Sequence, residues 1–388
     1  MQKIRWGLIG GGKGSQIGPV HRLGAALDGK FEFVAGAFDI NPKASKTFGI
    51  ELGLAENRSY GSWQDMLEKE RKLEDKVELV TIATPNSTHF EIAKAFMESG
   101  FNILCEKPMT MTVEEADRLF EISCNAETIF AVNYGYSGFP LVRQMKHMIT
   151  SGQLGKIRLV KAEFAHGHHA DSQDFNNPRV RWRYNPDQAG ASAVFADCGI
   201  HALHLVSFVT GQEVTKVSAD FVSTVSSRVL EDDAMINFRM DGGIVGRLWA
   251  SAIAVGRQHG LNIQVFGEKG GLTWSQEQPN QLFFMPIKGH LQVIERGHED
   301  LSNIAREASR VTIGHSEGMP LAFANIYLDL FKEIKARKER TSNISSEKLY
   351  PNIEAGLRSV YAIHAARKSS LSDGSWISAV PDIFKKDL

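Results

Sequence analysis

The sequence predicts a doubly wound α/β domain followed by an α+β domain with a large, mainly antiparallel, open sheet. Strand-like and helix-like segments alternate up to about residue 137, and closely spaced strands with glycine turns follow. Two long helical stretches come near the end of the chain. Because 388 residues exceed what one core usually holds, we expect two domains, at residues 1–137 and 138–388.

The first domain is predicted from its alternating pattern. Its short apolar strands lie at residues 4–9, 31–38, 79–83, 103–105 and 129–132. The stretch HFEIAKAFMESG is predicted to be helical because Ile92, Phe96 and Met97 share one face. Thr88 and Glu91 predict a capping box at its start. Strands that alternate with helices form a parallel sheet with helical crossovers.

The second domain is predicted to have an antiparallel sheet. Its strand-like segments are residues 157–167, 214–225, 233–240, 243–251, 261–267 and 270–274. Most of them are too close together for helical crossovers, and glycine-containing turns join them. Helical segments at residues 322–339 and 352–370 are expected to complete this domain.

Composition excludes several classes of protein. The formal net charge is -1 and no apolar run is long enough for a membrane helix, so neither nucleic acid nor membrane is an expected partner. The N-terminus leads directly into a strand, which predicts that there is no signal peptide. The three cysteines lack metal-binding spacing. These features predict a cytoplasmic protein with reduced thiols.

A glycine-rich turn after the first strand predicts a dinucleotide site. Gly10, Gly12, Lys13, Gly14 and Ser15 lie between that strand and a helical stretch. Glycines at such a turn let the backbone approach a pyrophosphate at the positive helix N-terminus. Ser15 stands where the third glycine of the usual pattern would be, and a simple tight turn is the alternative interpretation.

Asp39 ends the second predicted strand and indicates the type of dinucleotide. A carboxylate there accepts hydrogen bonds from the ribose hydroxyls of NAD and repels the 2′-phosphate of NADP. No arginine or serine follows Asp39 immediately to hold a phosphate. NAD is therefore the predicted cofactor; the alternative makes Asp39 a turn residue before Asn41-Pro42.

Three further motifs give the chain a specific resemblance. ATPNSTH at 83–89, CEKP at 105–108 and DCGIH at 197–201 follow the glycine turn in this order. Together they resemble the Gfo/Idh/MocA oxidoreductase family, which includes inositol 2-dehydrogenase and glucose–fructose oxidoreductase. The resemblance covers almost the whole chain. It implies an N-terminal Rossmann domain, an α+β C-terminal domain, and a cleft between them for nicotinamide and substrate.

The resemblance also implies roles for individual residues. It assigns cofactor contacts to Thr84, Pro85, Asn86, His89, Glu106 and Lys107. Lys107 follows a strand whose carboxyl end faces the ligand in such sheets, where its ammonium can hydrogen-bond a substrate hydroxyl and stabilise developing alkoxide charge. The implied catalytic pair is Asp197 and His201. Their spacing of four places them on one face if this segment is helical, and a carboxylate beside an imidazole fixes its tautomer and favours proton uptake.

Other residues are candidates for substrate binding. His166 and His168 of AHGHHAD resemble the substrate strand of inositol dehydrogenases, and Trp182, Arg183 and Tyr136 are further candidates. Trp182 can stack on a sugar, and an arginine can bind hydroxyls or an anion. A surface loop and a packing tyrosine are the alternatives for Arg183 and Tyr136. The rival interpretation is a zinc site, whose candidate ligands are His166, His168, His169, Asp197 and His201. No metal is predicted, because hydride transfer assisted by Lys107 needs none.

Three functions are compatible with these residues. The first is an NAD-dependent dehydrogenase that oxidises a secondary hydroxyl of an inositol or unphosphorylated sugar. The second is a glycoside hydrolase that oxidises its sugar transiently and returns the hydride, and the third is a non-enzymatic NAD-binding protein. The presence of Lys107, Asp197 and His201 favours an enzyme. The open sheet predicts a homodimer or homotetramer, because an exposed apolar sheet face tends to be buried between subunits.

Overall fold

The computed structural model describes residues 2–339 and 348–387. The chain forms two compact units, which interleave in sequence. The first unit comprises Met1–Thr110, Glu114–Gly138 and Met319–Gly356, and the second comprises Met111–Val113, Phe139–Gly318 and Leu357–Leu388.

The first unit contains a five-stranded parallel sheet with strand order β2-β1-β3-β4-β5. Its strands are β1 (Ile4–Gly10), β2 (Phe31–Ala37), β3 (Leu79–Ala83), β4 (Asn102–Cys105) and β5 (Phe130–Val132). The helices between them are α1 (Ile17–Leu27), α2 (Pro42–Glu51), α3 (Trp63–Glu70), α4 (His89–Glu98) and α5 (Val113–Asn125). The order reverses between β1 and β3, and ligands bind beyond the carboxyl ends of strands at such a point. The predicted Rossmann sheet is confirmed.

The second unit contains a mixed, mainly antiparallel sheet of nine strands. The strands are β6 (Ile157–Ala165), β7 (Val214–Val222), β8 (Asp233–Met240), β9 (Val245–Ser251), β10 (Asn262–Gly267), β11 (Gly270–Ser275), β12 (Gln281–Pro286), β13 (Gln292–Glu295) and β14 (Ile377–Ser378). The α-helices after α5 are α6 (Pro140–Thr150), α7 (Pro178–Arg181), α8 (Pro186–Ala189), α9 (Ile200–Thr210), α10 (Asn303–Arg306), α11 (Met319–Glu339) and α12 (Ile353–Ser370). The pair β6–β9 is parallel, whereas the other pairs are antiparallel.

Helix α11 differs from the prediction, which placed it in the second domain. Its Tyr327 packs edge-on against Trp6 of β1 and Phe31 of β2, with ring centroids 5.8 and 5.4 Å apart. Phe331, one turn later, also contacts Phe31. Burying one such aromatic side chain stabilises a fold by about 1.5–3 kcal/mol. Residues 138–388 are therefore not the one continuous unit that we expected, because α11 packs with the first sheet. Helix periodicity does not predict tertiary packing of this kind.

The strands of the second unit extend beyond those predicted. β12 and β13 were missed because QLFFMP has an unbroken apolar centre and QVIE is short. One face of the sheet remains exposed. Along it, Leu159 of β6 lies opposite Phe266 of β10, and these side chains are 36 and 40% exposed. In the described part of the chain, no helix is both long and apolar enough to cross a membrane.

Candidate functional site

The glycine turn lies at the carboxyl end of β1, at the reversal of strand order. Gly10 ends this strand opposite Ala83 of β3. A Cβ atom on Gly12 would lie 2.5 Å from the carbonyl oxygen of Phe38, so only glycine fits this approach to the end of β2. Lys13 and Gly14 are exposed at the tip of the turn. The glycine turn thus packs directly against Phe38, the residue before Asp39.

Gly18 performs the packing that the usual third glycine of this motif performs. A Cβ atom there would lie 2.2 Å from the carbonyl oxygen of Gly11, because α1 starts directly against the turn. Ser15, at the expected third position, instead accepts a hydrogen bond from the Gly18 N–H at 3.2 Å. Sequence reasoning missed Gly18 because the turn is longer than usual. Placing the third glycine of the motif three residues later, at position 18 instead of 15, would have identified it.

Asp39 follows β2 and is exposed. One of its carboxylate oxygens accepts the N–H of Asn41 at 2.8 Å. This contact is the one expected if Asp39 is a turn residue before Asn41-Pro42. It uses only one carboxylate oxygen, so the other oxygen of this exposed side chain can still accept hydrogen bonds from a ribose. The first turn of α1 has no side-chain cap from Gln16. A glycine cradle, a helix N-terminus and an acid after β2 are the groups that a dinucleotide requires, so these residues fit NAD.

The loop after β3 presents Thr84, Pro85 and Asn86 at least partly to solvent. The hydroxyl of Thr88 donates to Pro85 O at 2.8 Å and does not cap α4, so the predicted capping box does not form. His89 is fully buried. Its ring nitrogens lie 2.9 Å from the carbonyl oxygens of Pro108 and Thr84. Neither nitrogen is left for a dinucleotide, and we infer that His89 positions these two loops instead of contacting the cofactor.

Glu106 and Lys107 follow β4 but differ in exposure. Glu106 is 8% exposed, whereas Lys107 is half-buried. The carboxylate of Glu106 lies 3.0 Å from Nε2 of His21 and accepts the Lys107 N–H at 3.2 Å. Burial raises the pKa of Glu106, but the hydrogen bond and charge of His21, together with the Asn133 hydrogen bond and the Lys107 charge, hold this pKa below its ordinary value. Sequence reasoning gave His21 no role, since nothing along the chain links it to Glu106.

Asp197 and His201 share one face of a helical segment. Phe195–Gly199 forms a π-helix that leads into α9, and such wide turns are frequent at functional sites. Within residues 192–206 every residue is buried except Asp197 and His201. This pattern agrees with the expected shared face.

The start of this π-helix is held by Glu231, which sequence reasoning missed. Its Oε1 accepts the N–H groups of Ala193 and Phe195 at 2.9 and 3.2 Å. Burial raises the pKa of Glu231 despite these bonds. A buried acid 36 residues beyond Phe195 thus binds backbone N–H groups at the start of the segment that carries Asp197.

Arg183 forms an ion pair with Asp197, from Nε to Oδ2 at 2.9 Å. Its guanidinium also lies over the ring of Trp182, 4.7 Å from the ring centroid. The next residue, Tyr184, is buried and its hydroxyl lies 3.1 Å from Nδ1 of His169. The structure therefore places Arg183 against the Asp197 carboxylate and Trp182 under the Arg183 guanidinium.

His166 is buried at the end of β6 and both of its nitrogens have partners. Nδ1 accepts the N–H of His168 at 3.2 Å, so the remaining proton of a neutral ring is on Nε2, which lies 3.4 Å from Sγ of Cys198. Burial and the neighbouring imidazoles lower the pKa of His166 from 6.5 to about 4, although Asp197 opposes this shift. His166 is therefore neutral at neutral pH, and its contact with substrate stays a prediction.

His168 and His259 complete the cluster of imidazoles in the second unit. His168 is exposed and its ring centroid is 4.7 Å from that of His166. The ring centroid of His259 lies 4.7 Å from that of Phe164, with the two rings tilted by 53°, and the Phe164 centroid lies 6.1 Å from that of His201. Burial lowers the pKa of His259, with His168 as the next cause. His259 was missed because it lies in a loop far from the other motifs.

The two remaining predictions concern Tyr136 and metal. Tyr136 is buried in a 3₁₀ turn at Gly135–Gly138, as its packing alternative expects. Across residues 2–339 and 348–387, no three His, Cys, Asp or Glu side chains are arranged to hold a metal ion.

Comparison with known proteins identifies the family. Residues 4–134 match the oxidoreductase family with an NAD-binding Rossmann fold, and residues 142–273 match the GFO/IDH/MocA C-terminal domain. An inositol dehydrogenase homologue from Azotobacter vinelandii, solved with NAD⁺, has a TM-score of 0.94 and 38% identity over 97% of both chains. Its structure with NADH and myo-inositol has a TM-score of 0.91 and 37% identity, covering 97% of this chain and 98% of that one.

The curated relatives agree with this result. The uncharacterized oxidoreductase YfiI of Bacillus subtilis (strain 168) is 35% identical over 378 residues, which is 96% of each chain. The resemblance drawn from the sequence motifs is confirmed along nearly the full length. This chain belongs to the Gfo/Idh/MocA family and is an NAD-binding oxidoreductase.

Proposed function

We propose that the protein is an NAD-dependent dehydrogenase that oxidises a secondary hydroxyl of a cyclic polyol, an inositol or an unphosphorylated sugar, to a ketone. The observation that carries this proposal is the partial exposure of Asp197 and His201 on an otherwise buried helical segment. An acid–imidazole pair of this kind suits proton removal from an alcohol. The relative from Azotobacter vinelandii, an inositol dehydrogenase homologue solved with myo-inositol, supports the substrate class.

In the proposed reaction, His201 takes the hydroxyl proton as the substrate carbon loses hydride. Asp197, which carries the ion pair with Arg183, orients His201 and favours its protonated form. The ammonium of Lys107 donates to the substrate oxygen and stabilises its developing negative charge. Bound NAD supplies the redox chemistry by accepting the hydride. The products are a ketone, NADH and one proton.

Imidazoles and indole would recognise the hydroxyl-rich substrate. His168 is exposed and offers a donor or an acceptor. Trp182, half-buried under the Arg183 guanidinium, provides an aromatic face for the C–H side of a ring. His259 lies close enough to the cluster to contribute a further polar contact. None of these three side chains carries a permanent charge, which favours a substrate without phosphate.

Homo-oligomerisation through the exposed sheet face is part of this proposal. The row that Leu159 and Phe266 begin continues across Gly271 of β11 to Met285 of β12, which is 47% exposed. A second copy would bury this row, as exposed apolar faces in soluble proteins are commonly buried. Light scattering after size exclusion tests this, and Phe266→Lys should shift the mass towards a single chain. An unchanged mass for Phe266→Lys would contradict the assignment to this face.

The first experiment is a substrate screen followed at 340 nm. Protein and NAD are mixed with inositols, free hexoses and pentoses, and aryl glycosides, while aglycone release is measured in parallel. We expect NADH to accumulate with one or more polyols and Lys107→Ala to lower turnover by about a hundredfold or more. Aglycone release without net NADH would replace this proposal with the hydride-recycling glycosidase.

A further inference from the structure

A chain of buried polar side chains runs through the first unit and ends at Glu106. Nε1–H of Trp6 donates to Oγ1 of Thr81 at 2.8 Å, and this hydroxyl lies 2.9 Å from that of Tyr327. Tyr327 OH is 2.9 Å from Nδ1 of His21, whose Nε2 is 3.0 Å from Oε1 of Glu106. The five residues come from β1, β3, α11, α1 and the end of β4.

The carboxylate at the end of this chain has its hydrogen bonds inside the protein. Oε1 receives Nδ2–H of Asn133 at 2.5 Å in addition to His21, and Oε2 receives the backbone N–H of Lys107. The Glu106 side chain is 10% exposed and that of His21 is 0% exposed. Glu106 therefore points inward, although the residue after it reaches solvent.

Burial alone would favour a neutral carboxyl group here, so the negative charge depends on its partners. The titratable groups that face Glu106 are Tyr327 of α11, His21 of α1 and His89 of α4, together with Cys105 and Lys107 from its own turn. Of these, His21 opposes the burial effect most strongly, and its hydrogen bond and charge lower the pKa of Glu106. Losing His21 would leave only the Asn133 hydrogen bond and the Lys107 charge to oppose the burial effect, so the pKa of Glu106 would rise.

We propose that His21 and Glu106 form a buried pair that positions Lys107, and that Glu106 acts through Lys107 instead of binding the cofactor. This rests on the proposed role of Lys107 in alcohol oxidation. The pair would fix the peptide N–H of Lys107 and keep a negative charge one residue from its ammonium. Because His21 belongs to the helix that starts at the glycine turn, the pair ties the pyrophosphate cradle to the strand end that carries Lys107.

The test compares variants that differ in one contact. His21→Ala removes the donor to Glu106, whereas the amide of His21→Gln can still supply one, and Glu106→Gln removes the charge while it keeps the shape. Glu70→Gln is the matched control, because Glu70 is a fully buried acid of the same unit that bonds Arg58 and Tyr60. All four variants are expected to lose stability, so loss of stability by itself distinguishes nothing.

Kinetics provide the first measurement. We expect kcat to fall about ten- to a hundredfold in His21→Ala and Glu106→Gln, with KM for NAD nearly unchanged. In His21→Ala the pKa of Glu106 rises, so the acid-side loss of kcat/KM should begin at a pH higher by about one or more. Glu106→Gln should lack this additional shift and keep only the acid limb that protonation of His201 produces, and His21→Gln should recover most of the wild-type rate and profile. Glu70→Gln should keep the wild-type pH profile.

A second measurement needs neither cofactor nor substrate. Reductive methylation at fixed pH, followed by peptide mass spectrometry, gives the labelling rate of Lys107 relative to the exposed Lys43. We expect a severalfold increase in His21→Ala and Glu106→Gln, because a side chain that is no longer held in one orientation is more accessible. His21→Gln and Glu70→Gln should label at the wild-type rate.

The two measurements separate failure of this proposal from failure of the proposed function. If wild-type protein oxidised no polyol, the proposed function would be wrong, and the labelling ratio would still test the positioning of Lys107. Wild-type labelling ratios in both His21→Ala and Glu106→Gln overturn the proposal. So do altered ratios with unchanged kcat and pH profile, since the pair would then have no effect on the reaction.

Discussion

The candidate site residues of the two units are built in different ways. In the first unit, the groups around Glu106 come from five elements, and His21 and Tyr327 are 306 residues apart in the chain. In the second unit, most of the polar groups come from two short segments, residues 164–169 and 182–201. The first arrangement is fixed by buried hydrogen bonds to one carboxylate. The second is a cluster of partly exposed imidazoles around one ion-paired acid.

This difference indicates different sensitivity to substitution. A buried network transmits the loss of any member to its end, because no water can replace the missing partner. A partly exposed cluster tolerates such a loss better, because water can replace a missing hydrogen bond at its members. We therefore expect distant residues to affect the chemistry in the first unit, whereas mainly the reacting groups should do so in the second.

The largest effect is expected at the proposed base. His201→Ala should lower kcat by about a hundredfold or more at neutral pH, because general-base catalysis is lost. Steady-state kinetics on the polyol found in the screen would measure this. His204→Gln is the matched control, since His204 is buried on the same helix and has no assigned role in the reaction. Near-normal turnover in His201→Ala would remove the proposed base.

A smaller effect is expected at Asp39, an exposed member of the first unit's site. Asp39→Ala should raise KM for NAD by about tenfold and reduce the preference for NAD over NADP, because the carboxylate no longer accepts the ribose hydroxyls or repels a phosphate. Glu32→Ala, an exposed acid on the same strand, is the control. Unchanged preference for NAD would leave Asp39 with only its turn contact to Asn41.

The sequence predicted local features of both units better than their long-range contacts. Lys107 after β4, the glycine turn, and the shared face of Asp197 and His201 depend on residues near each other in the chain, where spacing is informative. The packing of α11 with the first sheet and the His21–Glu106 contact depend on tertiary structure. The apolar periodicity of a helix does not show whether the helix packs in the unit that precedes it in the chain or in another unit. The missed Gly18 shows a third case, in which an insertion displaced a known pattern.

The last expected effect is on stability in acid, and it follows from two buried histidines of the second unit. The pKa of His166 in the folded protein is about 4 and that of His204 about 3, both below the ordinary value of 6.5 because the rings are buried. Between pH 6.5 and 4 the unfolded chain therefore binds more protons than the folded one, so stability falls as the pH is lowered through this window. For His166 the loss at pH 5, relative to pH 8, is about 2 kcal/mol.

Hydrogen exchange at pH 7 and pH 5, corrected for the intrinsic rate, can locate this loss. His89 of the first unit is also buried and has a lowered pKa, so some loss is expected in both units. The amides of β6 and α9 should nevertheless lose more protection than those of β1–β5, because His166 and His204 lie in or next to these elements. His166→Gln should reduce the loss in the second unit, whereas His290→Gln, at an exposed position, should not. Equal losses of protection in both units would mean that His166 and His204 are not the main cause of the lower stability at pH 5.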